Sequence, residues 1–208
     1  QGNFMNNAFS MAVIENVVER ILSGEWQPPA DGIDDRLNEL GFDGDADRET
    51  DTEEGSTGKT GPVWLGRYIP MPTSGLIQLH WQRIGTLFRD TVQALHIGHS
   101  SDQARLLCEV LVAKVFGHEQ FHFLSDVCSH LVSSVKNHEK EEALATAWGW
   151  FYCQSVAQQI GLSPDLTEKA VRFWFDDIRA AGYRDWRKFA HGCFFEDEAC
   201  KHLELDKL

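Results

Sequence analysis

Residues 106–132 read LLCEVLVAKVFGHEQFHFLSDVCSHLV, an apolar run with helical periodicity inside a segment, about 101–133, that the spacing predicts to be one helix. Glu109 and Lys114 interrupt the run well short of the roughly 20 apolar residues needed to cross a bilayer. Within it, His118-Glu119-Gln120-Phe121-His122 is an HExxH. Four residues make about one helical turn, so the two imidazoles leave the same face at the spacing that lets them share one Zn²⁺. Glu119 stands about 100° further round the helix, beside such a metal rather than on it. A catalytic zinc takes a third protein ligand and keeps a position for water. Three candidates compete for that place. Cys128, six residues after His122, fits the extended HExxHxxGxxH pattern poorly, because Cys replaces its third His and Ser125 its chain-turning Gly. Asp126 lies a turn beyond His122 and suits an orienting partner better than a ligand. The acid-rich opening of the next helical segment (139–160), Glu139-Lys140-Glu141-Glu142-Ala143, supplies a carboxylate 20 residues after His122.

The stretch from His118 to Ala143 resembles the motif of the gluzincin metallopeptidases, the thermolysin-like branch of the zincins: HExxH, an Asp four residues on, then Glu142-Ala143 at the family's distance. The resemblance implies that His118, His122 and Glu142 bind one Zn²⁺ and that Glu119 is the general base. It implies a zincin-like α+β fold, mostly helical, with a small β-sheet in the N-terminal half. The activity it implies is hydrolysis of peptide bonds in a protein or peptide substrate. Family members place a His from a later segment opposite the metal, which points to His191, with Tyr152 as the other candidate for stabilising the transition state. They also place an edge strand beside the metal, here Leu76 to Trp81, along which an extended peptide would pair. One departure concerns the third-ligand helix, where the family carries an Asp four residues past the Glu to orient a zinc-bound His. This chain has Thr146 there, which leaves Asp126 as the nearest orienting carboxylate. Glu141 stays open as an alternative to Glu142.

Helix geometry adds a condition. If 101–133 and 139–160 are straight antiparallel helices turning near residue 136, the partner of His122 falls near residue 150 rather than 142. The motif helix is therefore expected to end early, at a break among Ser125, Ser129, Ser133, Ser134, Asn137 and His138, all weak helix formers.

Working outward, Asn7 to Leu22 is an amphipathic first helix stopped by Gly24, and Val63–Ile69 and Leu76–Trp81 are two short strands parted by Pro70, Pro72 and Gly75. Further helical segments fall at about 83–96, 164–180 and 184–191, with Gly161 and Ser163-Pro164-Asp165 marking a stop and a fresh start. The acidic, Gly-rich stretch 41–61 reads as a mobile loop inside a single domain spanning 1–208. The aromatic group Trp148, Trp150, Phe151, Tyr152, Phe173, Trp174 and Phe175 is assigned chiefly to packing. His80, His96, His99, His130, His138 and His202 are assigned to the surface or to ordinary hydrogen bonds.

Lys plus Arg number 19 against 32 Asp plus Glu, a formal net charge of −13, which opposes a phosphate backbone and an anionic bilayer alike. Neither nucleic acid nor membrane is expected as a partner. Five cysteines without a CxxC pair suggest free thiols and a cytoplasmic setting. Gly58-Lys59-Thr60 resembles the end of a P-loop but has Glu53 where the first Gly belongs. Asp43 to Glu54 matches the acidic positions of a calcium loop but has Arg48 at the position of its Gly. A di-iron bundle needs a second Glu-x-x-His, and the sequence holds only Glu119-x-x-His122. The alternative from another class is a non-catalytic zincin-fold interaction module with structural zinc. Against it, Glu119 is intact, and a purely structural site gains nothing from that carboxylate.

Overall fold

The helix that carries the HExxH motif is continuous over 31 residues, Asp102–Val132. Between Ala104 and Gly117 it is buried almost all round, as expected of a helix apolar on every face. A computed structural model describes residues 8–23, 65–71, 74–98, 101–132, 137–175 and 183–205. The acidic stretch 41–61, the first two residues of the expected strand 63–69 and the end of the expected helix 164–180 lie outside them. In chain order the elements are α1 (Ala8–Leu22), β1 (Gly66–Met71), β2 (Ser74–Leu79), α2 (Trp81–Ala94), α3 (Asp102–Val132), α4 (His138–Ile160) and α5 (Pro164–Phe175). A 3₁₀ turn (Tyr183–Lys188) and α6 (Gly192–His202) follow. The described chain is thus mostly helical, with one two-stranded antiparallel sheet.

Helix α4 runs antiparallel to α3, and their backbones meet where both lack a side chain. A Cβ placed on Gly117 would stand 2.8 Å from Tyr152 Cβ and 3.4 Å from Gly149 Cα, and one placed on Gly149 would stand 2.8 Å from the Lys114 carbonyl oxygen. Further along, His122 meets Glu141. His138, one turn before Glu142, is therefore about level with Asp126, one turn after His122, so α3 runs on for more than a turn past the start of α4. The motif helix does not end early. The residue count assumed two helices of equal reach, and the overshoot of α3 brings residues 141 and 142 opposite His122 without a break. Of the residues expected to break α3, Ser125 and Ser129 are helical, Ser129 donating its hydroxyl to the Asp126 carbonyl, and Ser133 and Ser134 lie outside the described residues. Asn137 starts α4 by accepting the Lys140 N–H, and Gly161 ends it in the left-handed conformation at φ 77°.

Around this pair, Ile14, Val17, Val18 and Ile21 of α1 and Ile84, Phe88 and Val92 of α2 fill the main core against α3. Trp174 of α5 donates its indole N–H to the buried Thr91 hydroxyl at 2.8 Å, tying α5 to α2. Phe173, grouped by sequence with the packing aromatics, is instead exposed. A second, smaller core joins Phe121, Leu144, Ala145 and Ala147 to Phe195 and Ala199 of α6. That helix falls outside the expected segments: 184–191 is mainly the 3₁₀ turn, and α6 begins after it. Trp81 opens α2 rather than closing β2. Pro70 lies within β1, opposite Gly75, where a two-stranded sheet leaves its missing N–H facing outward. Among the described residues no helix is long and apolar enough to cross a membrane, and all five cysteines are free.

In an exposed helix Gly→Ala is ordinarily stabilising. Here Gly149→Ala is expected to destabilise by about 1–3 kcal/mol, lowering the melting midpoint by several degrees, because the new methyl meets backbone that cannot move aside. Gly98→Ala, with open space around the added carbon, should leave the midpoint unchanged within about 0.5 kcal/mol. Calorimetric melting of the two variants checks the contrast.

Candidate metal centre

The antiparallel pairing sets one face of α3 against the first turns of α4, and four titratable side chains meet there, none more than 14% exposed. His118 Nε2 and His122 Nε2 approach to 3.2 Å. Glu142 reaches both: its Oε2 is 3.4 Å from His118 Nε2 and its Oε1 is 3.4 Å from His122 Nε2. Tetrahedral zinc with bonds of about 2.0–2.1 Å sets its donor atoms about 3.3–3.4 Å apart; the two imidazole nitrogens stand near that spacing, and each Glu142 oxygen stands at it from one of them. One donor atom from each of the three residues lies within 4.8 Å of the others, and among the described residues this is the one such group of His, Cys, Asp or Glu. Glu142 Oε2 is buried with no hydrogen-bond donor, an orphaned acceptor that a cation would satisfy. The donor set of two imidazoles and one carboxylate suits zinc, and the residues present fit it.

Glu141 occupies the other side of His122, accepting the Nδ1 proton at 2.9 Å and so directing Nε2 at the cluster. The sequence left Glu141 and Glu142 open as third ligand; the residue that joins the metal-capable group is Glu142, and Glu141 meets the other nitrogen of His122. Asp126, the orienter suggested by sequence, accepts the Tyr68 hydroxyl at 2.7 Å instead. Thr146, at the position where the gluzincins carry an Asp, bonds back to the Glu142 carbonyl on its own helix.

Electrostatics reflect the crowding. Burial disfavours a charged His122, yet the hydrogen bonds it donates to Glu141 and Glu142 outweigh it and hold the imidazole up at about 10. Burial would raise the Glu142 carboxyl, but the imidazoles of His118 and His122 beside it, each 3.4 Å away, hold it well below the usual carboxylate range. In the metal-free protein a proton therefore sits where a cation would bind. Glu119, 6% exposed, is pushed up by burial, against the pull of His118 and His122.

Glu119 is held from β1. It accepts the backbone N–H of Tyr68, and a Cβ on Gly66 would stand 2.9 Å from its Oε1. The hydrogen bond from His80 N–H to the Leu65 carbonyl fixes the phase of the ladder, so Arg67 and Gln78 bond each other while Gly66 and Tyr68 turn their backbone groups outward. The strand beside the motif is therefore β1, where the sequence reading places Leu76–Trp81.

Of the two candidates for transition-state stabilisation, Tyr152 is buried against Phe116 and Gly117 in the main core. His191 is exposed at the N-cap of α6. The metal-capable group forms without either. Sequence reasoning missed Tyr183, whose ring stacks on His118 with centroids 5.5 Å apart, and His138, whose Nε2 is 3.9 Å from Glu142 Oε1. The second had a signal, since His138 stands four residues before Glu142 on one helix. The first had none short of the fold. Compared with known proteins, the chain matches no family model, no curated protein and no solved structure.

His118→Ala or His122→Ala is expected to abolish stoichiometric zinc binding, because two remaining ligands hold the ion poorly. Glu142→Ala should weaken binding far more than Glu141→Ala, which removes an orienter and should cost about 10–100-fold. Competition against a chromophoric chelator ranks the four. Zinc uptake at pH 7 should also release a proton from His122, since its pKa of about 10 lies above that pH, and affinity should fall as pH is lowered. Calorimetry in buffers of different ionisation enthalpy reads that proton directly.

Proposed function

We propose that the protein is a zinc-dependent metallopeptidase, with His118, His122 and Glu142 as ligands of one Zn²⁺, Glu119 as general base and an extended protein or peptide chain as substrate. The observation that carries this reading is the set of 3.2–3.4 Å separations among the donors of three residues, with a buried carboxylate next in sequence to the first of them. Zn²⁺ held there supplies a Lewis acid and lowers the pKa of water towards neutrality. The chain's own groups do the rest. Glu119 accepts the proton of the attacking water and passes it to the leaving amine. Its low exposure strengthens it as a base, and the Tyr68 N–H fixes the carboxylate from the strand side. Gly66 leaves room for it, where any side chain would press on Glu119 and Val115. With the Tyr68 N–H taken by Glu119, the Gly66 N–H and the carbonyls of Gly66 and Tyr68 on that outward edge are the groups an extended substrate would pair with.

A buried carboxylate with a raised pKa is a burden on stability that a purely structural metal site has no need to carry. Glu119→Gln is accordingly expected to keep zinc content and to melt no lower than the parent while losing about 10²–10⁴-fold in peptide turnover, because the amide cannot take the water's proton. Digestion of a peptide library by zinc-loaded protein, read by mass spectrometry, makes the comparison. Wild-type turnover in the variant, or no cleavage by the zinc-loaded parent, overturns the proposal.

A further inference from the structure

The C-terminal helix ends on His202, whose imidazole is only 5% exposed and stacks on Phe121 with centroids 6.2 Å apart. Its Nε2 lies 3.3 Å from the Ser125 hydroxyl and 3.6 Å from Glu141 Oε2. The other oxygen of the same carboxylate, Oε1, takes the Nδ1 proton of His122. Glu141 is thus held between two imidazoles, one facing the metal cluster and one delivered by α6. One turn earlier on α6, Glu198 bonds Lys140 Nζ at 2.9 Å. Lys140 and Glu141 are consecutive on α4, and the residues that grip them, Glu198 and His202, are spaced four apart on α6. The apolar seat of α6, Phe195 and Ala199 in the second core, needs no imidazole at residue 202 to form. What His202 adds to that seat is a nitrogen turned to a carboxylate that orients a ligand.

We infer that His202 is a positioning residue of the metal centre, acting through Glu141 on the ring of His122. The inference rests on the reading of His118, His122 and Glu142 as metal ligands. It makes the C-terminal helix part of the site, although it supplies no ligand. The test uses the full chain, Co²⁺ and Zn²⁺, and two variants that separate the nitrogen positions of imidazole. Gln at residue 202 places its amide nitrogen about where Nε2 lies, whereas Asn reaches only as far as Nδ1. His202→Gln should bind both metals with nearly the parent affinity and the parent Co²⁺ absorption spectrum. His202→Asn should bind about 10–100-fold more weakly, with an altered spectrum, as removal of an orienting partner does. In a Glu141→Gln background the two should bind alike, because the group through which His202 acts is gone. Should His202→Asn not fold by circular dichroism, His202→Phe, which keeps a ring on Phe121, takes its place with the same expectation. Equal affinities for the Gln and Asn (or Phe) variants in the Glu141 protein, or a gap that persists without Glu141, overturns the inference. Failure of the parent chain to bind either metal overturns the metal reading itself, and this inference with it.

Discussion

The close contact of α3 and α4 at Gly117 and Gly149 governs the geometry of the site. Each glycine faces backbone or a Cβ at a distance no side chain tolerates. Helices packed on bulkier residues stand about 8–10 Å apart, and side chains then bridge the gap at the cost of reach. With the backbones drawn together, the short Glu142 side chain spans to two imidazoles on the facing helix and still keeps its carboxylate buried. The same contact sets the stagger. Because α3 overshoots α4, the first turn of α4, where acidic residues are favoured by the helix dipole, falls opposite the motif rather than beyond it.

That placement concentrates charge where water is scarce. Glu119, Glu141 and Glu142 are each 6% exposed or less, with only partly buried imidazoles between them. Three carboxylates this close repel one another and lose hydration, so the metal-free arrangement depends on the proton carried by His122. A divalent cation relieves that repulsion more fully than one proton does. The energetic logic is that of a site built at the expense of the apolar core around it, since Phe121, Leu144 and Ala145 immediately beside it are fully buried hydrophobics.

Helix α3, helix α4 and the pairing of two imidazoles four residues apart were all legible in the sequence, because each is a local pattern of period 3.6. The place of Glu142 in the metal-capable group was legible only through resemblance, as no local pattern distinguishes Glu142 from Glu141. What separates them is which side of the His122 ring each meets, a property of the stagger between helices. β1 was found as a strand, yet its role beside Glu119 was given to β2, because which edge of a hairpin faces a helix depends on the phase of the ladder and not on composition. Helix α6 escaped notice since Gly192-Cys193-Phe194-Phe195-Glu196-Asp197-Glu198 lacks a strong apolar repeat; only Phe195 and Ala199 are buried in it. His202 was read with the surface histidines for the same reason, its burial being made by Phe121 from 81 positions earlier in the chain.

Two consecutive carboxylates acting on one histidine is an economical answer to the missing Asp at Thr146. Neighbours on a helix point about 100° apart, so they cannot both approach the same atom. They can approach opposite nitrogens of one imidazole if the ring lies edge-on between them, and His122 does: Glu141 takes Nδ1 and Glu142 faces Nε2. Glu141 and Glu142 are joined by a single peptide unit in a capped helical turn, so their relative placement is as rigid as the helix itself. A carboxylate four residues away would depend on one more turn of regular structure. The adjacent pair carries its own constraint, since any shift of α4 along α3 moves both carboxylates off both nitrogens together. A hold on the other oxygen of Glu141 would resist such a shift, and His202 of α6 stands 3.6 Å from it.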